Sequence, residues 1–270
     1  MTSAPVPEWL TTATMEIEGS LREASNLTLR VQFGDSDQER VPTKAVYKPI
    51  QGEQPLDDFP EGTLAGREVT AYLVSEWGGW GLVPPTILRD GPLGLGSVQI
   101  WVEVDESLAG PASGLLDVFP PEGLEEGWLP LVQAQGPQGE PLVVAHADHA
   151  QLASLAVLDA VLNNADRKAA HIALDPRGRL WGFDHGLCAH DEPKLRSVLW
   201  GWAGQKITDA DVARLQKLHD HLNDGGRREL LTYLDEAEVE ELAVRADLLL
   251  SDPVYPALPT DRYPLPWPLW

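Results

Sequence analysis

The sequence predicts an α+β protein in two lobes, a β-rich one followed by a larger α-rich one. Three observations carry this. Runs in which apolar and polar residues alternate, rich in β-branched and aromatic side chains, recur up to about residue 104. One helical stretch interrupts them. From about residue 148 the apolar spacing turns helical, broken by a short hairpin. A chain of 270 residues suffices for two modest units or for one two-lobed unit around a shared cleft. The β-rich lobe is placed at residues 1–104, with a hinge near 98–104, and the α-rich lobe at 105–270.

Met15 to Ser20, Leu27 to Phe33 and Lys44 to Pro49 read as strands of an antiparallel sheet, with Gly34-Asp35-Ser36-Asp37 breaking the second from the third. Thr63 to Trp77 holds no proline and spaces Leu64, Val69, Tyr72 and Leu73 near helical period, and Gly78-Gly79 ends it. Two more strands follow, over Gly81 to Leu88 and Ser97 to Glu103. From 105 to about 145 the chain is acidic and rich in Pro and Gly, which predicts a lobe boundary carrying a long loop. Asp148 is placed to cap a helix that runs to Asn163, with Leu152, Leu155, Ala156 and Leu162 on its apolar stripe. Ile172 to Leu174 and Leu180 to Phe183, joined by Asp175-Pro176-Arg177-Gly178, form a hairpin. Helices over about 208–222, 226–234 and 236–250 complete the lobe, with Thr208 and Asp235 capping the first and last. The Pro-rich tail from Pro253, which carries Trp267 and Trp270, is expected to lie extended against the body.

Lys and Arg number 20 against 42 Asp and Glu, a formal charge of −22. Nucleic acids are held by basic surfaces, so this balance excludes a bare phosphate-backbone binder, and it equally disfavours anionic lipid. The 43% apolar content and ten Trp supply a globular core. The one cysteine, Cys188, cannot form an intramolecular disulfide and is expected to be a small buried residue. The first residues lack a basic region followed by an apolar run, and nowhere do about eighteen apolar residues follow one another. The expectation is a cytoplasmic protein that binds no nucleic acid and has no stable membrane association.

The densest chemistry lies in Asn163-Asn164-Ala165-Asp166-Arg167-Lys168-Ala169-Ala170-His171, followed by Asp184 within Gly182-Phe183-Asp184-His185-Gly186. A helix that ends in a polar loop, then a hairpin with His171 at one start and Asp184 at the other end, brings three polar groups to one edge. Phosphoryl transfer needs a carboxylate near the attacking hydroxyl and further ligands that hold Mg2+ against the phosphates. Asp166, His171 and Asp184 are of the types that fill those places. Each has a plainer reading on its own: Asp166 as a turn cap, His171 as a half-buried histidine, Asp184 as the end of a strand. Lys48 before Pro49 likewise reads as an edge charge. His146 and His149 with His185 and His190 match no common zinc spacing, and a helix-capping Asp148 accounts better for that stretch.

Taken together the segments resemble the phosphatidylinositol 3- and 4-kinase superfamily, most closely the type II phosphatidylinositol 4-kinases and the small actinobacterial proteins likened to them. Residues 163–186 are similar to its catalytic loop, hairpin and metal-binding segment. Residues 45–53, AVYKPIQGE, are similar to the strand that bears the ATP-phosphate lysine, and 67–77, REVTAYLVSEW, to the helix whose glutamate pairs with it. Residues 96–103, GSVQIWVE, are similar to the strand that leads into the interlobe hinge. The resemblance covers roughly residues 16–104 and 145–206.

It implies a two-lobed protein-kinase-like fold and an ATP- and divalent-metal-dependent phosphotransferase. Lys48 would hold the ATP phosphates, Glu68 would pair with Lys48, and Asp166 would be the catalytic carboxylate. Asp184 and His171 would ligate Mg2+ or Mn2+. His171 stands where the family has an asparagine, and imidazole, softer than an amide oxygen, suits Mn2+ at least as well as Mg2+. Adenine would bond the hinge backbone around Ile100 and Val102. Ser20, Ser25 and Asn26 occupy the phosphate-cradling loop, which lacks the family's glycine pattern and reads equally as a hairpin turn. Lys194, Arg196, Trp200 and Trp202 lie where such kinases position the acceptor, although both tryptophans also read as packing. The implied acceptor is a soluble hydroxyl compound, protein or small molecule, because the lipid-anchoring cysteines and basic membrane face of the lipid kinases are missing. Two alternatives stay open: a nucleotide-binding regulator without turnover, possible protein partner included, and an AMP transferase.

Overall fold

The computed structural model describes residues 6–21, 26–34, 44–104 and 114–270. Its first part is a five-stranded antiparallel sheet of β1 (Met15–Ser20), β2 (Leu29–Phe33), β3 (Lys44–Pro49), β4 (Thr86–Gly91) and β5 (Gly94–Ile100), in the order β1-β2-β3-β5-β4. Side chains alternate across a strand, and β3 alternates in burial accordingly: Ala45, Tyr47 and Pro49 are buried, Lys44, Val46 and Lys48 only partly. Ala45 and Tyr47 join Leu10, Met15, Leu29, Val31, Phe33 and Val98 in a small core. A short helix, α1 (Glu8–Thr12), covers that core, with Trp9 edge-on to Phe33 and Arg89 donating to the Leu10 and Ala13 carbonyls. Lys48 is thereby turned to the opposite face. Gly96 of β5 pairs with Pro49 of β3, and a side chain on Gly96 would collide with the Lys48 carbonyl, so the strand beside the lysine needs a glycine.

Between β3 and β4 runs α2 (Leu64–Gly78), almost wholly buried. Thr63 makes no side-chain cap; the Glu53 carboxylate accepts from the Leu64 and Ala65 amides at 3.3 and 2.9 Å instead. Gly79 ends the helix with a positive φ of 78°, as Gly79 N and Trp80 N return to the Glu76 and Ser75 carbonyls. The strand expected over Gly81 to Leu88 begins only at Thr86, because Pro84 and Pro85 cannot donate to a ladder.

The long loop expected over 105–145 is corrected by the structure. Residues 105–113 lie outside the described residues, but β6 (Leu116–Phe119), β7 (Trp128–Gln135) and β8 (Pro141–Ala147) form a second antiparallel sheet in the order β6-β8-β7. Pro130 sits on β7, which pairs on one side only and is irregular between Pro130 and Val132. Proline density had concealed a strand that tolerates proline at an edge.

Helical packing then takes over. The α3 helix (Ala150–Leu162) is capped by His149, whose side chain accepts from Gln151 N, and not by Asp148, which accepts from Trp202 Nε1 at 3.0 Å. A hairpin of β9 (Ile172–Leu174) and β10 (Leu180–Gly182) follows. Helices α4 (Asp209–His221), α5 (Arg227–Leu230) and α6 (Glu236–Ser251) complete the part, with Thr208 and Asp235 capping α4 and α6 through their side chains. The helix expected over 226–234 shrinks to α5, because from Leu231 the chain tightens into turns in which Thr232 N and Tyr233 N return to the Glu229 and Leu230 carbonyls. A large core of α2, α3, α4 and α6 side chains, including Leu155, Leu158, Leu162, Leu215 and Leu242, joins the two parts. Among the described residues, no helix is long and apolar enough to cross a membrane.

Candidate active site

Three chain segments meet where the sheet faces the helical part. Lys48 Nζ, from β3, bonds Glu68 Oε1 of α2 and lies 2.7 Å from Asp184 Oδ1, just after β10. Glu68 is buried at 3% exposure, and its second oxygen accepts the His185 amide at 3.1 Å. Both of its oxygens are thus committed to holding the lysine and the Asp184 segment in register. The Asp184 side chain stays half exposed and sits on backbone with φ 54°, a conformation that costs a non-glycine residue energy and persists only where its surroundings fix it. Burial by itself would push the lysine down, but the Asp184 and Glu68 carboxylates outweigh it and hold the ammonium above its ordinary range. The Lys48 charge in turn outweighs burial at Asp184 and keeps that carboxyl well below the usual range. Both groups are therefore charged at neutral pH.

His171 lies beside this pair, its Nε2 3.4 Å from Asp184 Oδ2 and its Nδ1 2.9 Å from the Asp166 carbonyl. Burial, only partly offset by Asp184, pushes the imidazole down to about 4. It is neutral near pH 7, so its one proton sits on Nδ1, the nitrogen that faces a carbonyl, and the Nε2 lone pair faces the carboxylate. Two acceptors turned toward each other suit a cation between them, and a backbone carbonyl fixing the far nitrogen is the usual support of a ligating histidine. The donor set fits a divalent ion whose remaining positions are filled by phosphate and water oxygens. Asp166 lies 2.9 Å from Lys168 Nζ, and its amide donates to Asn164 Oδ1. Burial raises its carboxyl, against the opposing pull of Lys168.

The residues beneath these groups have structural roles that the sequence reading did not assign. Arg167, fully buried, makes a two-pronged contact with Asp159 of α3 at 2.7 and 2.8 Å. It also donates to the His171 and Phe183 carbonyls and to His185 Nε2, so one guanidinium ties α3, the Asp166 loop and the Asp184 segment together. One signal could have revealed it. Asp159 is the lone carboxylate within the apolar run of α3, and an acid there needs a buried cation. Asn163, in left-handed conformation at the end of α3, donates to the His190 and Glu192 carbonyls and accepts from Lys194 N.

Other expected site residues fare differently. Ser20 is exposed at the end of β1, while Asn26 Oδ1 is taken by the Gln54 amide at 2.7 Å. Ser25 lies outside the described residues. The Ile100 amide donates to Pro85 O at 2.9 Å, which commits it to the sheet rather than to a ligand, and Val102 follows in irregular backbone. Lys194 pairs with Asp58 and Glu192, and Trp200 and Trp202 are packed at 7% and 6% exposure. His146, His149, His185 and His190 do not converge: each has its own local partner, and no group of three His, Cys, Asp or Glu among the described residues is arranged to hold a metal. Cys188 is buried, and burial raises its thiol above the ordinary range.

No family model matches the chain. Over 260 residues it is 45% identical to protein Rv2133c of Mycobacterium tuberculosis, which covers 94% of this chain and 91% of that one. The chain belongs to the Rv2133c family. The crystal structure of a Helicobacter pylori proinflammatory kinase, CtkA, superposes at TM-score 0.45 with 11% identity over 91% of this chain and 94% of that one. In this member of the Rv2133c family the convergence of Lys48, Glu68, Asp184, His171 and Asp166 is built from its own residues, and it is that geometry which bears on chemistry.

Proposed function

We propose that the protein is an ATP- and divalent-metal-dependent phosphotransferase that acts on a hydroxyl acceptor. The observation that carries this reading is the contact of Lys48 with both Glu68 and Asp184, three residues brought together from separations of 20 and 136 positions. An ammonium fixed by one buried carboxylate and bounded by a half-exposed one is a positive point held ready for phosphate oxygens. Glu68, with both oxygens engaged, anchors the lysine. Asp184 and His171 would hold the divalent ion, which when bound neutralises charge on the β- and γ-phosphates. Asp166 accepts the proton of the acceptor hydroxyl as that oxygen bonds to the γ-phosphorus and ADP leaves; its raised carboxyl makes it a better base than an ordinary aspartate. Arg167 keeps the carbonyl ends of both loops in place.

Purified protein given γ-labelled ATP with Mg2+ or Mn2+ is expected to transfer label to itself or to a hydroxyl compound in a lysate, and Asp184→Ala to abolish transfer. Failure to consume ATP with either metal overturns the reading. Transfer of label from α-labelled ATP instead would assign AMP transfer.

A further inference from the structure

We propose that the C-terminal tail is part of the site and that Trp267 is the platform on which the acceptor rests, the acceptor being a neutral hydroxylated ring of the carbohydrate class. The inference deepens the phosphotransferase reading and rests on it. From Pro253 the tail crosses the helical part and reaches the loops of the site through its carbonyls. Pro264 O accepts from Ser197 N at 3.0 Å and from Trp200 Nε1 at 2.9 Å, and Leu269 O accepts from Ala169 N at 2.8 Å. Ala169 follows Lys168 directly, and Ser197 bridges Arg167, so both anchors stand on backbone that adjoins Asp166. Leu265 and Pro266 are buried, and Leu269 packs on the main core.

Between the two anchors Trp267 is 82% exposed, and just before the first Tyr263 is 61% exposed, whereas Trp80, Trp181, Trp200 and Trp202 are all buried. Chain geometry holds the Trp267 Cα within about 13 Å of the Ala169 amide. An indole kept in water on backbone fixed at both sides is an apolar plate tied through Leu269 and Pro264 to the loops that carry Asp166 and Arg167. Chemistry selects what it takes. A flat aromatic face suits the C–H face of a ring, and phosphoryl transfer demands a hydroxyl on the same molecule. A molecule of charge −22 repels an anionic acceptor. A neutral sugar meets all three conditions. Its hydroxyl oxygen bonds to the γ-phosphorus, the bond from that phosphorus to the ADP oxygen breaks, and the hydroxyl proton passes to Asp166.

Full-length protein labelled with 5-fluorotryptophan tests this by titration with glucose and with ribose, glycerol serving as the open-chain control. The Trp267 fluorine resonance is assigned by its loss in Trp267→Phe. Both sugars are expected to move that resonance saturably, and glycerol at equal concentration to leave it in place. In sugar-dependent ADP release, Trp267→Ala is expected to raise the half-saturating sugar concentration about tenfold with the KM for ATP unchanged. Leu258→Ala, exposed on the same tail but outside the anchors, is expected to change neither. A resonance that no sugar moves, or that glycerol moves equally, overturns the proposal. So does one that responds only to protein concentration, to a serine-containing peptide or to neutral vesicles, since those outcomes assign Trp267 to a different contact. Absence of ATP consumption in the unaltered protein would strike the phosphotransferase reading, while the fluorine titration still decides Trp267.

Discussion

Lys48 concentrates the electrostatics of the site, because it is the cation that keeps Asp184 ionised and the one that Glu68 is buried to hold. Replacing it with methionine is expected to lower ATP turnover about a hundredfold or more, the usual cost of removing one preorganised charge from a phosphoryl site. Initial rates with circular dichroism as the folding control check this. His171 decides the metal. In His171→Asn an amide oxygen replaces a softer imidazole nitrogen, so the ratio of Mn2+- to Mg2+-supported activity is expected to fall, and Mn2+ binding measured by electron paramagnetic resonance to weaken. Buried imidazoles also set an acid limit. His146 is fully buried, with Nε2 accepting from Gly201 N, and burial lowers its pKa, as it lowers that of His171 to about 4. Unfolded chains take up these protons near the ordinary value of 6.5, and folded ones do not. The unfolded state therefore binds more protons in that window, and stability is expected to fall as pH drops from 6.5 toward 4. Urea midpoints at neutral and mildly acidic pH measure it, and His146→Gln should flatten the slope.

Among the elements, α2 links the two parts. Its Arg67 side chain is fully buried and bonds Glu238 of α6 together with the Cys188 carbonyl at 2.8 Å, while Phe59 stacks on the guanidinium at 4.9 Å. Such a pair is costly to break from one side only. Arg67→Ala takes the cation away from the buried Glu238 carboxylate, which keeps only the Asp235 amide as a partner, and is expected to cost about 3–5 kcal/mol, read as a lowered denaturation midpoint. The double replacement Arg67→Met with Glu238→Gln removes both charges while leaving a side-chain oxygen for the Asp235 amide, and should recover much of the loss. Because α2 carries Glu68 one position after Arg67, a loosened helix should also weaken nucleotide binding, so the two measurements are expected to move together in Arg67→Ala. The β3 strand was legible in advance: its alternation separates Tyr47 from Lys48 by face, and nothing in the tertiary structure altered that. The second sheet was not, since Gly and Pro mark turns and edge strands alike and only the pairing of β7 with β8 distinguishes them. His149 displaced Asp148 as the cap of α3 for a tertiary reason, the Trp202 indole having claimed the carboxylate.

Charge acts on the molecule as a whole. At −22 the protein repels a polyanionic nucleotide, so screening should help binding rather than hinder it. Raising salt from about 0.02 M to about 0.3 M is expected to lower the KM for ATP severalfold, opposite in sign to a basic nucleotide site. Initial rates across that range test it, with choline chloride to separate screening from specific ion effects. Local patterns, read from the residues themselves, established the first three strands, the helix between them and the next two, the hairpin between His171 and Asp184, and the caps Thr208 and Asp235, because each depends on neighbours within a few positions. The residues themselves also offered Asp166, His171 and Asp184 as one polar edge, and resemblance to a known family added Lys48 and Glu68 and implied a role for each of the five. What the tertiary structure decided was which distant groups meet: Lys48 with Asp184, Arg67 with Glu238, Arg167 with Asp159, and the tail with Ala169. Contacts of that kind follow from closing long loops around a shared core, and their partners are chosen by burial and charge at the point of closure, which no window along the chain contains.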